Sequence, residues 1–322
     1  MASQARNHHW IPQCYLKGFA KSRSKNAQLF VVDAITRASF VTSPRNVASA
    51  RDFNRVEAEG VNANDIESRY ADFEGHAARA LLHMDESRQF GDQEDHNLIL
   101  NLIALLSVRN PRMRESSRRF QEQVIKQIMS LTVANKERYE RSLAGAVLAG
   151  EVQPDPDVTY ESMREFVEGE QYTIEVPTTR HVETELQLVD TVLPLLGGRS
   201  WILLRAASGS GGFVTSDHPV ALYWTEACDR GPFYSPGFGL KGTEVLFPIS
   251  HELAMVGTFD GPHGTHDSTP EQVALANGVI IRHGHRQIYA RDDRFRYAFA
   301  PGEIRKGADL LRDLPNPSER GR

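Results

Sequence analysis

Cysteine is almost missing from this chain. Cys14 and Cys228 are the only two among 322 residues, and no Cys-x-x-Cys occurs. Neither a disulfide framework nor a zinc ribbon can be built from them, and a reducing compartment is the expected setting. Long apolar runs are missing too. No stretch approaches the ~20 apolar residues of a membrane span, and residues 1–6 pass into histidines without the apolar core of a secretory leader. The expectation is a cytoplasmic protein that does not enter a membrane. An excess of one charge is also lacking: 37 basic residues face 42 acidic ones, a net charge of -5. Nothing therefore draws the whole protein to nucleic acid or anionic lipid, although a local basic patch remains open. No Gly-x-Ser-x-Gly nucleophile elbow exists. The run Ser208-Gly209-Ser210-Gly211-Gly212 lacks the lysine of a phosphate-binding loop and reads as a turn.

What is present is enough hydrophobic residue, 40% of the chain, to bury a substantial core. Two β-favouring runs, 29–32 and 38–41, flank a polar turn and read as a hairpin. From about residue 64 the period becomes helical. Ile66, Tyr70, Phe73, Ala77, Leu81 and Met84 fall on one face, followed by a very apolar helix through residues 98–106 that Pro111 must kink or stop. Further helices are expected over 113–131, 136–149, 161–168 and 179–196, the last ending at Gly197-Gly198. After Arg199 short β-like runs take over at 201–204, 213–215, 220–224, 245–248, 253–256 and 287–290, with one helix over 270–282. The fold class expected is α+β: a small N-terminal β-hairpin, a helical middle region and a C-terminal mixed or antiparallel sheet. We read residues 1–310 as one globular domain, divided at about 60 and 198, with 311–322 as a mobile tail.

Several motifs occur in a telling order. They are His8-His9-x-x-Pro12-x-x-Tyr15-Leu16-x-x-Phe19, Arg109-x-Pro111, Thr215-Ser216-Asp217-x-Pro219-Val220, Phe247-Pro248-Ile249-Ser250, and Asn277 ahead of Tyr289. Together they resemble the bacterial and fungal family catalogued as domain of unknown function 4238, over nearly the whole chain. The resemblance implies positions and no chemistry. One departure is His218, where the family usually has asparagine between Asp217 and Pro219. His-His-x-x-Pro ahead of a hairpin also resembles the first strand of ββα-metal nucleases. The asparagine such sites need is met only by Asn46, and no histidine follows until His76.

The candidates for chemistry follow from side-chain type. His8 and His9 are neighbours, so on an extended strand they point to opposite sides and one of them reaches a given centre. Imidazole suits general acid–base work or metal ligation, and the alternative is an anchor that pins the N-terminus. Glu67 and Glu74 lie seven apart, on nearly the same side of a helix and about 10 Å apart along it. Either the two are solvated boundary residues, or one of them holds a divalent metal ion together with His8 or His9. Arg109 can satisfy free carbonyls at a helix end or offer a fork to phosphate. Asp217 follows a strand, where it can serve a metal or act as a base, or simply bond turn amides. Gln13 and Asn277 complete the candidate substrate contacts. His263, His266, Asp267, His283 and His285 have ligand-like spacing that an adventitious metal could use, but they sit in a Gly-Pro loop and beside a strand, outside the motifs, and we favour a non-functional reading. Two functions compete. One is a hydrolase acting on a phosphodiester, in nucleic acid or a phosphorylated small molecule, with His8 or His9, Glu74 and Asp217 as catalytic groups. The other is a non-catalytic binding or regulatory module, as in a defence or stress locus.

Overall fold

The computed structural model describes residues 7–56, 65–225 and 234–315. Its opening segments are β1 (Asn7–His9), the helical turn α1 (Gln13–Leu16), β2 (Leu29–Asp33), β3 (Ala38–Thr42) and β4 (Ser49–Arg51). The expected hairpin is β2–β3, antiparallel. Residues 47–53 do not extend it. They supply β4, which pairs with β1 in the register His8↔Ala50 and His9↔Ser49. Tyr15 of α1 is fully buried and its hydroxyl meets Thr215 Oγ1 and the Pro248 carbonyl, each at 2.8 Å. The N-terminal segment is thereby fixed deep in the body.

The helical region comprises α2 (Asp65–Ser87), α3 (Gln93–Val108), α4 (Pro111–Thr132), α5 (Lys136–Leu148), α6 (Tyr160–Glu168) and α7 (Thr178–Gly197). The apolar stripe of α2 buries Tyr70, Ala77, Leu81 and Met84, as its period requires. The Asp92 side chain caps α3 by accepting the Asp95 amide at 2.9 Å. The helix stops at Val108, and Pro111 becomes the first residue of α4, where its missing amide costs nothing.

Beyond these lie β5 (Ser200–Arg205), β6 (Thr215–Ser216), β7 (Ala221–Trp224), β8 (Thr243–Pro248), β9 (Leu253–Thr258), β10 (Gly264–Asp267), α8 (Pro270–His283), β11 (Gln287–Ala290), β12 (Arg296–Ala300), β13 (Glu303–Lys306) and α9 (Leu310–Asp313). A five-stranded sheet runs β10-β5-β9-β8-β7, mixed because β10 pairs parallel to β5. A four-stranded sheet runs β3-β2-β11-β6, so the N-terminal hairpin is completed by a strand from the far end of the chain. The strands β8 and β9 alternate between two cores: Val245, Phe247, Leu253 and Met255 on one side, Leu246 and Ala254 on the other. The architecture is the α+β one expected. Of the tail expected from residue 311, residues 311–313 belong to α9 and Leu314 is buried, while 316–322 lie outside the described residues.

The chain folds into two compact units. One is Arg112–His181 and the other joins Met1–Pro111 to Val182–Arg322. The smaller unit has its own apolar cluster of Val133, Tyr139 and Val167. The candidate site lies wholly in the larger.

Candidate functional site

Strand pairing decides which histidine is available. On β1, His8 turns inward and is 2% exposed, while His9 is half-buried on the opposite side. His8 Nδ1 accepts the backbone amide of Asn54 at 2.9 Å. That bond requires Nδ1 to be unprotonated, so in the neutral ring the proton sits on Nε2 and His8 acts as a fastening for the turn after β4. Asn54 in turn donates from Nδ2 to Glu67 Oε2 at 2.8 Å, while its Oδ1 is buried without a hydrogen-bond partner among the described residues.

His9 is different. Its Nδ1 is buried with no hydrogen-bond partner among the described residues. Burial pushes the imidazole below its ordinary value, and Arg109 adds to this. The Val47 and Ala48 backbone and the Glu67 carboxylate oppose the shift without cancelling it. His9 is therefore held as a neutral base.

Arg109 closes α3, with its amide bonded to the Leu105 carbonyl and its side chain fully buried. The guanidinium lies over the Tyr70 ring at 4.2 Å from the centroid, a cation–π contact that desolvation strengthens. Nη2 reaches the Trp10 carbonyl at 3.4 Å and the Glu74 carboxylate at 3.7 Å. Among the described residues Nε and Nη1 have no acceptor, and Trp10 Nε1 is likewise buried without one. Glu74 keeps 28% of its side chain exposed, so the cluster meets solvent at this carboxylate. Burial raises its pKa, Glu67 raises it further, and Arg109 pulls it back. Glu67, Tyr70 and Glu74 form one stripe of α2, which is why a single helix supplies both carboxylates and the aromatic floor. Cys14 stands beside them, its thiol directed to the Glu74 backbone carbonyl and pushed up to about 12 by burial, which makes it a poor nucleophile.

The structure thus brings together His9, Glu74 and Arg109, with His8 joined to them through Asn54 and Glu67, but it does not bring Asp217 to them. Asp217 is nearly buried, and its two oxygens accept the amides of His285 and Arg286, each at 2.8 Å. The carboxylate is consumed in closing the turn before β11. Asn277 is fully buried in α8, accepting the Val214 amide at 2.9 Å and donating to the Gly212 and Arg296 carbonyls at 2.9 and 2.8 Å. It ties three backbone segments and leaves no free group for a substrate. Gln13 opens α1 on the exposed surface. Asn54 and Tyr70 belong to the cluster and carry no motif. Tyr70 could have been found from its place between Glu67 and Glu74 on one helical stripe, whereas Asn54 depends on the β1–β4 pairing. The expected nuclease-like Asn46 only bonds Thr42 at 3.0 Å. Among the described residues no three His, Cys, Asp or Glu side chains are arranged to hold a metal ion.

Residues 7–294 match the profile of a family described as a protein of unknown function (DUF4238). No curated protein matches the chain, and no solved structure does. No helix among the described residues is long and apolar enough to cross a membrane.

Proposed function

Because the chain belongs to the DUF4238 family of proteins of unknown function, its chemistry must come from the cluster itself, and we propose that it is a hydrolase of phosphodiesters working by general acid–base catalysis. One observation carries the reading: five buried polar atoms of residues in and beside the cluster lack partners among the described residues, namely His9 Nδ1, Trp10 Nε1, Asn54 Oδ1 and Arg109 Nε and Nη1. Buried polar atoms are ordinarily satisfied, so a group of unsatisfied ones implies a polar guest. Nε and Nη1 are the donors that a phosphate takes from an arginine fork.

In this mechanism neutral His9 accepts a proton on Nδ1 from the attacking water while its oxygen bonds to phosphorus. The bond from phosphorus to the leaving oxygen breaks, and Glu74, held protonated more readily than an ordinary carboxyl, gives that oxygen its proton. Arg109 stabilises the charge that builds on the phosphoryl oxygens. The substrate is a nucleic acid or a phosphorylated small molecule bearing a diester. A divalent metal ion on Glu74 or Glu67 together with His9 would supply further charge stabilisation, and none of these proton transfers depends on it.

The test is hydrolysis of bis-p-nitrophenyl phosphate and of single-stranded DNA and RNA by the full chain and by His9→Ala. The wild type should turn over at least one of them, and the variant should lose about 10²–10⁴-fold. A second reading has its own support in the complete burial of Arg109: a non-catalytic binding module in which the cluster clamps the N-terminus to α2 and α3. Equal rates in the two proteins, or no turnover by either, would favour it.

A further inference from the structure

The glycine-rich run at 208–212, which lacks the lysine of a phosphate loop, lines a cavity of about 550 Å³ through Ser208, Gly209, Gly211 and Gly212, together with Arg88, His251, Arg291 and Arg294. Its backbone is shaped for this. Gly209, Gly211 and Gly212 have φ of 77°, 81° and 82°, a region that side chains disfavour. At Gly211 a Cβ would strike the backbone of Arg294 and Phe295, and at Gly212 that of His251. These two glycines let the loop lie flush against the neighbouring chain. Gly209 faces open space.

Hydrogen-bond accounting leaves donors over. Within this run Ser210 bonds the Ala207 carbonyl, and Gly212 bonds the Ser210 hydroxyl. The amides of Ser208, Gly209 and Gly211 have no acceptor among the described residues. Unbonded amides close together in a loop with left-handed residues favour anions, and here Ser208 and Gly209 are successive with Gly211 beyond the bonded Ser210 amide.

Charge agrees with the backbone. Arg88 pairs with Glu252 and Arg294 with Asp292. Arg291 forms no ion pair among the described residues and donates instead to His251 Nε2 at 2.5 Å. His251 Nδ1 donates to the Gly18 carbonyl at 3.1 Å, and its Nε2, which meets Arg291, also lies 3.3 Å from the Glu252 carboxylate. Three arginines therefore stand against two carboxylates on the cavity wall, and the uncompensated one is held in place by a histidine.

From this we infer a binding site for a phosphate monoester of a small metabolite, with the phosphate on the amides of the 208–211 loop and Arg291 and the remainder of the molecule in the cavity. The volume is in the range of small-molecule sites and larger than a lone phosphate fills. The site shares no residue with the acid–base cluster and stands whether or not that cluster is catalytic.

Calorimetric titration of the full chain with inorganic phosphate and with glycerol phosphate tests it. Both should bind saturably, glycerol phosphate the more tightly. Arg291→Gln should weaken both by about tenfold or more, the effect of losing a charge-assisted hydrogen bond. Ser208→Glu, at an exposed position that leaves the core untouched, should weaken both by repulsion, so the site remains testable if Arg291→Gln fails to fold. His9→Ala should bind as the wild type does. No saturable binding, unchanged binding in Ser208→Glu, tighter binding of inorganic phosphate than of the ester, or loss of binding in His9→Ala would each overturn the assignment.

Discussion

Two polar knots are buried in the larger unit, and they differ in one respect. Around Asn277 and Asp217, every side-chain polar atom has a backbone partner: three bonds from the amide and two amides on the carboxylate. In His9, Trp10, Asn54 and Arg109, five polar atoms have none among the described residues. Burial and polarity alone would rank the two alike. Satisfaction separates them, because an unmade buried hydrogen bond is costly and is tolerated where something else makes it. On the function proposed above, the first knot is scaffold and the second a place for a guest.

The sharpest way to break this contrast is Asn277→Ala. It strands the Val214 amide and the Gly212 and Arg296 carbonyls, and should cost on the order of 4 kcal/mol in denaturant unfolding. A loss under about 1 kcal/mol would show that water replaces the amide and that the knot is not a dry scaffold. Next is Asp217→Asn, which keeps shape but turns one acceptor into a donor facing an amide. We expect a loss of about 2 kcal/mol, with hydrolysis per folded molecule unchanged. Arg109→Met should cost only about 1–2 kcal/mol, below the usual loss on breaking a buried pair because the Glu74 carboxylate left behind is part-exposed, yet it should remove activity. A stability loss larger than that of Asn277→Ala would put Arg109 among the scaffold residues.

The smallest effect is the pH dependence. His9 has a lowered pKa when folded, so below the ordinary imidazole value the unfolded chain takes up a proton that the folded one resists, and stability falls with acidification through that region. Glu74 works in the opposite direction. Its folded pKa is raised, so its contribution is present below the ordinary carboxyl value and is lost as pH rises through the folded one. The activity profile should accordingly be a bell, rising as His9 deprotonates and falling as Glu74 does. In His9→Gln the acid limb of both stability and activity should flatten, and an unchanged acid limb would remove His9 from the mechanism.

Much of the fold was legible because periodicity reports burial. The α2 stripe and the continuous apolar run of α3 both fell where their spacing put them. The strands without a sequence signal are β10, β12 and β13, while β1 and β4 showed extended character but not their pairing. Asn-His-His has no alternation to read, and its pairing with β4 is set by tertiary contacts. In the site, His9 and Arg109 were visible as chemistry-bearing residues in motifs, and Glu74 through its helical spacing from Glu67. Asp217 looked the same because a carboxylate after a strand has one appearance in sequence whether it faces a substrate or two loop amides. Asn54 was invisible, since a single asparagine in a turn declares nothing until β1 and β4 are joined.

The burial of Tyr15 between Thr215 and Pro248 has a consequence in time. Its two partners lie 200 and 233 residues further along the chain, and β2 likewise waits for β11. On a ribosome adding about 5–20 residues each second, the N-terminal segment would spend roughly 10–50 s outside the tunnel before its binding groove exists. During that interval Tyr15, Leu16 and Phe19 form an exposed apolar patch at the leading end of an unfinished molecule. The half-made protein therefore offers chaperones a handle that the finished one conceals, and its vulnerability to aggregation belongs to synthesis more than to the native state.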